Sequence, residues 1–324
     1  MLLALRTALL GAVIAVAFVA GPLKALQGHA QAPAAQPSSV PPVPAEVARV
    51  LVGAIDIHVH GLPDDRPRSM DAVDVAMLAR ARGMRAIVLK NHYESTAGLA
   101  FLVRKLVPGL EVFGGVDLNR TVGGINPAAV EHMVKVTGGW GRVVWMPTFD
   151  AENQVRVSKE DRPFVSVTRG GRLLPEVVQV IALVAKHNLV LATGHSAAAE
   201  GLLLLEEARR QGVSRTVVTH AMNAPISMDL AQMRRAAELG AFLEFVGGSM
   251  VEPGADARVT RFADAIRAIG PAHCILSSDL GQAGNPLAPD GFGAFLVALG
   301  AKGFSAAEIA LMSATNPARL LGLP

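Results

Sequence analysis

Short apolar runs alternate along the chain with amphipathic stretches, the pattern of repeated strand-helix units. The apolar runs occupy residues 52–57, 85–89, 111–118, 142–146, 189–193, 216–219, 241–246 and 274–278. Helix-like segments lie between them at 70–82, 127–137, 175–187, 197–211, 229–239 and 256–269. Eight strands with intervening helices predict a closed (β/α)8 TIM-type barrel of class α/β, and an open doubly wound sheet is the alternative with the same alternation. Residues 149–174 depart from the pattern. There, segments 154–158 and 164–168 flank charged residues and Arg169-Gly170-Gly171-Arg172 reads as a turn, so a hairpin-like excursion over the barrel mouth is expected.

Ahead of the first unit, residues 8–20 form an apolar run behind Arg6 that has the length of a signal-peptide core and is short for a membrane span. Gly28-His29-Ala30 and Ala30-Gln31-Ala32 both offer small residues for processing, and Pro33 favours the first. The reading is a signal peptide over 1–30, a disordered Ala/Pro-rich linker over 31–48 and one barrel domain over 49–324. Export to the periplasm or the medium follows, with membrane contact only through the export signal; the alternative is an uncleaved N-terminal anchor.

Composition narrows the chemistry. With 51% hydrophobic and 18% charged residues among 324, the chain can bury a large core. A net charge of +3 without a long basic block, and only 4% aromatic residues, argue against nucleic acid as a partner and leave a small-molecule substrate. Cys274 is the sole cysteine, so an intramolecular disulfide and a cysteine-based zinc site are both excluded. Any metal must be held by histidines and carboxylates.

Barrel active sites are built where strands end, and polar residues gather there. The first run ends in Asp56-Ile57-His58-Val59-His60, the second in Lys90-Asn91-His92, the fifth in Gly194-His195-Ser196, the sixth in Thr219-His220-Ala221 and the eighth in Ser277-Ser278-Asp279. Alternation places His58 and His60 on one face, where both imidazoles can meet one cation. The remaining histidines, His29, His132, His187 and His273, fall in the linker, on helices or at a strand start, and read as surface or packing residues.

Taken together these residues resemble the metal-dependent amidohydrolase superfamily, which carries His-x-His after strand 1, single histidines after strands 5 and 6, and Asp after strand 8. The order here is His58 and His60, His195, His220, Asp279. The closing Thr315-Asn316-Pro317-Ala318-Arg319 segment also resembles the superfamily's last helix, and the resemblance covers roughly residues 50 to 324. In detail the chain is similar to an uncharacterised branch with a Lys-Asn-His segment after strand 2, here Lys90-Asn91-His92. The resemblance implies one or two divalent ions, Zn2+ by default, on His58, His60, His195, His220 and Asp279. It also implies hydrolysis by a metal-activated water, with Asp279 as metal ligand and proton acceptor.

The chain departs from the superfamily after the fourth strand. Binuclear members place a carboxylated Lys or a Glu there, whereas Trp145-Met146-Pro147-Thr148-Phe149-Asp150 has neither; Thr148 is the residue best placed to face inward. Lys90 is assigned one of two roles, a carboxylated bridging ligand or an ammonium that reaches a carboxylate such as Asp56 or Asp117. Lys90, His92 and Arg120 are candidates for stabilising developing negative charge, and Asn119, Arg120 and Asn223 for orienting substrate. The loop holding Asn285 to Gly291 reads as a cover for the pocket. The first functional reading is a hydrolase of amide, lactone or related ester bonds. The alternatives are a phosphoesterase of the phosphotriesterase or polymerase-and-histidinol-phosphatase type, the latter resting on His92 and Asp117, and a non-catalytic metal-binding barrel. Decarboxylation is run on the same barrel by some relatives.

Overall fold

The computed structural model describes residues 42–251 and 254–324. The expected signal segment over 1–30, and the linker as far as residue 41, lie outside the described residues. Ala45–Leu51, which overlaps the end of the expected linker, is a helix that buries Val47 and Leu51 against the core. Its Ala-Val-Leu content supplies the apolar stripe that the Pro-rich stretch before it lacks.

Eight parallel strands follow: β1 (Ile55–Val59), β2 (Ala86–Leu89), β3 (Glu111–Asp117), β4 (Gly141–Trp145), β5 (Val190–Ala192), β6 (Thr216–Val218), β7 (Phe242–Val246) and β8 (Cys274–Ser277). They pair in chain order from β1 to β8, without the reversal of order that defines a doubly wound sheet. β8 returns to β1: Asp279 N donates to His58 O at 2.9 Å and His60 N to Leu280 O at 2.9 Å. The architecture is therefore the TIM-type barrel, and the open-sheet alternative falls.

Two cores hold it. Inside the barrel, Ile55, Val88, Phe113, Trp145, Val217 and Ile275 pack together. Ala318, Leu320 and Leu321 of the last helix (Asn316–Leu321) join this cluster, and Asn316 fastens that helix by donating to Pro271 O at 3.0 Å and Cys274 O at 2.8 Å. Outside, alternate residues such as Ile87 and Leu89 meet the apolar faces of the helices. Burial on both faces is why the strands read as continuous apolar runs.

The excursion over residues 149–174 is part helix and part hairpin. Glu152–Val157 is helical, with Arg156 Nε donating to Glu152 at 2.8 Å across one turn. Thr168–Arg169 and Arg172–Leu173 pair antiparallel around Gly170 and Gly171, both at positive φ, as the turn motif predicts. Among the described residues no helix is long and apolar enough to cross a membrane.

Candidate metal centre

Simple alternation would place Ile57 and His58 on opposite faces of β1. The strand avoids this with a bulge: Asp56 pairs with Ile87 and Val59 with Leu89, so three steps on β1 match two on β2. Ile55 and Ile57 can thus pack in the barrel interior while His58 and His60 both reach Asp279. Asp56 stitches the bulge to β8, its Oδ1 accepting from His58 N at 3.1 Å and Ser278 N at 3.0 Å. Burial pushes the Asp56 carboxyl up to about 7 against these hydrogen bonds.

The ligand atoms of His58, His60 and Asp279 all lie within 4.8 Å of one another. Asp279 Oδ1 is 3.1 Å from His58 Nε2 and 3.2 Å from His60 Nε2. A second pair stands nearby: His195 Nε2 and His220 Nε2 face each other at 3.2 Å. Two nitrogens on one tetrahedral zinc, with Zn–N of about 2.0–2.1 Å, stand roughly 3.3 Å apart, so the His195–His220 spacing is one that two ligands of a single cation can adopt.

The back sides of the rings explain their aim. His58 Nδ1 meets Glu244 Oε1 at 3.1 Å, His60 Nδ1 meets the Lys90 carbonyl at 3.1 Å, and His195 Nδ1 meets Gln154 Oε1 at 2.8 Å. A carboxylate or carbonyl oxygen only accepts, so each Nδ1 carries a proton and each Nε2 is the atom left to present a lone pair once its own proton is gone. Burial works against a charge on His58, but Asp279 and Glu244 outweigh it and raise its pKa, so a cation would have to displace that ring's second proton. Burial drives His60 down to about 4 despite the pull of Asp279. Burial, reinforced by the neighbouring His220, holds His195 well below the usual histidine value, and burial lowers His220 too. Neutral imidazole is the form that binds metal. Burial opposes the charge on Asp279, yet His58, His60 and His220 outweigh it and keep the carboxylate well below its ordinary range.

His220 and Asp279 both adopt positive φ, +24° and +51°. Non-glycine residues in that region cost of order 1–3 kcal/mol and persist where the surroundings fix them. Here His220 N is held by Glu244 Oε2 at 2.8 Å and Asp279 N by His58 O at 2.9 Å. Before His195, Gly194 at φ +61° is required, because a β-carbon there would overlap the carbonyl oxygen of Met146.

Glu244 is the residue that sequence reasoning missed. It lies on β7, 2% exposed, and touches three ligand-bearing segments: the ring of His58, the backbone of His220, and Ser277 Oγ, which donates at 2.6 Å two residues before Asp279. Burial disfavours its charge, but His58 and His220 hold the carboxyl down at about 2. The signal was one acid inside Phe242-Leu243-Glu244-Phe245-Val246, a strand with no other polar group.

The other candidates divide. Lys90 is buried, its Nζ 3.2 Å from His58 Nε2 and 3.7 Å from Asp117 Oδ2, so of the two carboxylates considered it pairs with Asp117. His92 stacks on His60 with ring centres 4.9 Å apart, and its Nδ1 meets Thr148 Oγ1 at 2.9 Å. Thr148 also donates to Asp117 Oδ2 at 3.0 Å, so the residue after β4 joins β2 to β3. Burial pushes Asp117 up to about 6 against the charge of Lys90. Asn119 requires correction: its Nδ2 donates to His92 O and Thr148 Oγ1, both at 2.7 Å, and its Oδ1 accepts from Thr148 N and Asp150 N. Its amide is committed to backbone and scaffold and has nothing left for substrate. Arg120 is not brought to the cluster either; its side chain is exposed along a separate cavity beside Phe164 and Arg169. Asp150 is likewise engaged, by Arg120 N and Arg162. Asn223 and Asn285 line a cavity of about 210 Å³ that also includes Asp279 and Gln282.

Residues 53–244 match the model of a family of unknown function, DUF6282. The chain belongs to that family. The match includes His58, His60, Lys90, His92, His195 and His220 and ends on Glu244, leaving Asp279 beyond it. No curated protein matches the sequence. Among solved structures, the DUF6282 chain is similar to an amidohydrolase from Pseudomonas aeruginosa at 11% identity and TM-score 0.60, covering 85% of this chain and 98% of that one. An amidohydrolase from Burkholderia multivorans with bound zinc is similar at 16% identity and TM-score 0.58, over 84% and 99%. A putative 2-pyrone-4,6-dicarboxylic acid hydrolase from Pseudomonas putida is similar at 17% and 0.56, over 84% and 98%. At these identities the likeness establishes a shared barrel fold.

Proposed function

We propose that this protein is a metal-dependent hydrolase acting on an amide, lactone or related ester bond of a small molecule, with Zn2+ as the default ion. The observation that carries the reading is the convergence of His58, His60 and Asp279, with the two imidazoles fixed from behind by Glu244 and the Lys90 carbonyl. A zinc-bound amidohydrolase on the same fold supports the choice of ion. His195 and His220 complete the ligand set.

A divalent cation in this position supplies Lewis acidity, making water nucleophilic near neutral pH and polarising a carbonyl. The chain's residues do the rest. Asp279, ionised and partly open to the 210 Å³ cavity, accepts the proton of the attacking water and returns it to the leaving group. The Lys90 ammonium, paired with Asp117, offers positive charge where the carbonyl oxygen becomes anionic. One observation favours a second role for Lys90: its amine stands 3.2 Å from the ligand atom of His58, where an ammonium would repel a bound cation. Addition of carbon dioxide would turn that amine into an anionic carbamate ligand. Native mass spectrometry separates the two roles by the mass of one carbon dioxide.

The test of function is a panel of lactones, amides and aryl phosphates offered to zinc-loaded protein and to Asp279→Asn. Lactone, ester or amide turnover that falls by about a thousandfold in the variant supports the proposal. Activity confined to phosphates contradicts the bond class, and turnover of none of them favours a non-catalytic barrel.

A further inference from the structure

A second cavity adjoins the metal pocket. It measures about 330 Å³ and is lined by Met222, Asn223, Ala224, Arg258, Arg261 and Phe262. One wall is the loop that follows His220, and the other is the first turns of the helix Ala255–Ile269. Asn223 lines both this cavity and the one containing Asp279, and its backbone N–H donates to His220 O at 2.9 Å. The two spaces therefore share a wall three residues from a candidate metal ligand.

The chemistry of the lining is specific. Two arginines, one turn apart on the helix, line the cavity together with the apolar Met222, Ala224 and Phe262. Arg261 has no carboxylate partner among the described residues, and Asp256, on the same helix, is taken by Lys302 Nζ at 2.5 Å. A planar guanidinium matches a carboxylate with paired, charge-assisted hydrogen bonds, and the apolar lining suits a short hydrocarbon spacer.

We propose that this cavity is the recognition site for a carboxylate on the far end of the substrate, with Arg261 as the principal contact and Arg258 beside it. The substrate class is then a small acid whose hydrolysable bond lies a short apolar spacer away from a free carboxylate. This rests on the hydrolase reading for the identity of the neighbouring pocket.

Binding of glutaramate and of glutaramide, the diamide that lacks the free carboxylate, tests it by calorimetry on zinc-stripped protein. The probes share length and one amide and differ by one charge. Wild type is expected to prefer glutaramate by about fivefold or more, with the preference lost in Arg261→Ala and largely kept in Arg261→Lys. Circular dichroism and zinc content of the variants confirm an intact fold. A smaller preference in wild type, or one that survives Arg261→Ala, overturns the inference. Zinc uptake reports separately: if stripped protein takes up no zinc, the placement of a metal in the neighbouring pocket is wrong while the arginine comparison still stands.

Discussion

Glu244 accepts a hydrogen bond from the Nδ1 of His58 at 3.1 Å, while its other oxygen holds the backbone N–H of His220 at 2.8 Å. One carboxylate thus orients the ring of a candidate ligand on β1 and fixes the strained backbone of a candidate ligand after β6. Carboxylates behind ligating histidines raise the basicity of the ring and lock its tautomer, and their loss commonly weakens metal binding by about 10–100-fold. Glu244→Gln should show a loss of that size in chelator competition. Unchanged affinity would reduce Glu244 to a structural buried acid.

Asn119 gives a contrasting expectation. Three of its four hydrogen bonds tie the segment after β3 to the segment after β4 and the fourth reaches His92 O after β2, so Asn119→Ala leaves buried N–H groups of Thr148 and Asp150 without their acceptor. Unfolding in denaturant should show a loss of about 2–4 kcal/mol. Arg120→Ala, at an exposed position, should stay within about 0.5 kcal/mol of wild type. Equal effects from the two variants would contradict the division of roles drawn above.

Gln154 reaches His195 from the excursion and also donates to Ser158 Oγ at 2.7 Å, so its carbonyl end is the one aimed at the ring. Asn153 adds a second tie, donating to the carbonyls of His195 and Pro225 at 3.0 Å each. Gln154→Leu should lower metal affinity by less than Glu244→Gln does, because His195 keeps its backbone anchors. A larger effect from Gln154→Leu would make the excursion, and not β7, the main support of the centre.

Cys274 provides a pH test away from the site. Burial pushes its thiol up to about 12 from an ordinary 9. Between those values the native state keeps a proton that the unfolded chain has released, so stability falls as pH rises through that window. In native protein at pH 8 a thiol reagent should label Cys274 only through unfolding, far more slowly than it labels the chain unfolded in denaturant. Rapid labelling of folded protein would contradict its burial.

How much of this was legible depended on what kind of residue carried it. His58, His60, His195, His220 and Asp279 stood out because each follows an apolar run, and the barrel order was implied by the same runs. Glu244 did not stand out, because an acid within a strand gives no strand-end signal; only its isolation among Phe and Val hinted at a buried partner. Asn119 was misread because loop asparagines look alike whether they bind substrate or scaffold. The β1 bulge had no signature at all: Asp56-Ile57-His58 reads as plain alternation, and the extra residue exists because Asp56 bonds across to Ser278, which lies 222 positions away. Local pattern located the candidate ligands, while long-range hydrogen bonds decide how they are aimed.

The central claim is that His58, His60 and Asp279 hold a divalent metal. The most direct measurement is metal content per chain by mass spectrometry after zinc loading and gel filtration, for wild type and for the His58→Ala, His60→Ala double variant. The account predicts at least one tightly held zinc in wild type and its loss in the folded variant. Wild-type protein that retains no metal, or a folded variant that retains as much as wild type, would contradict it.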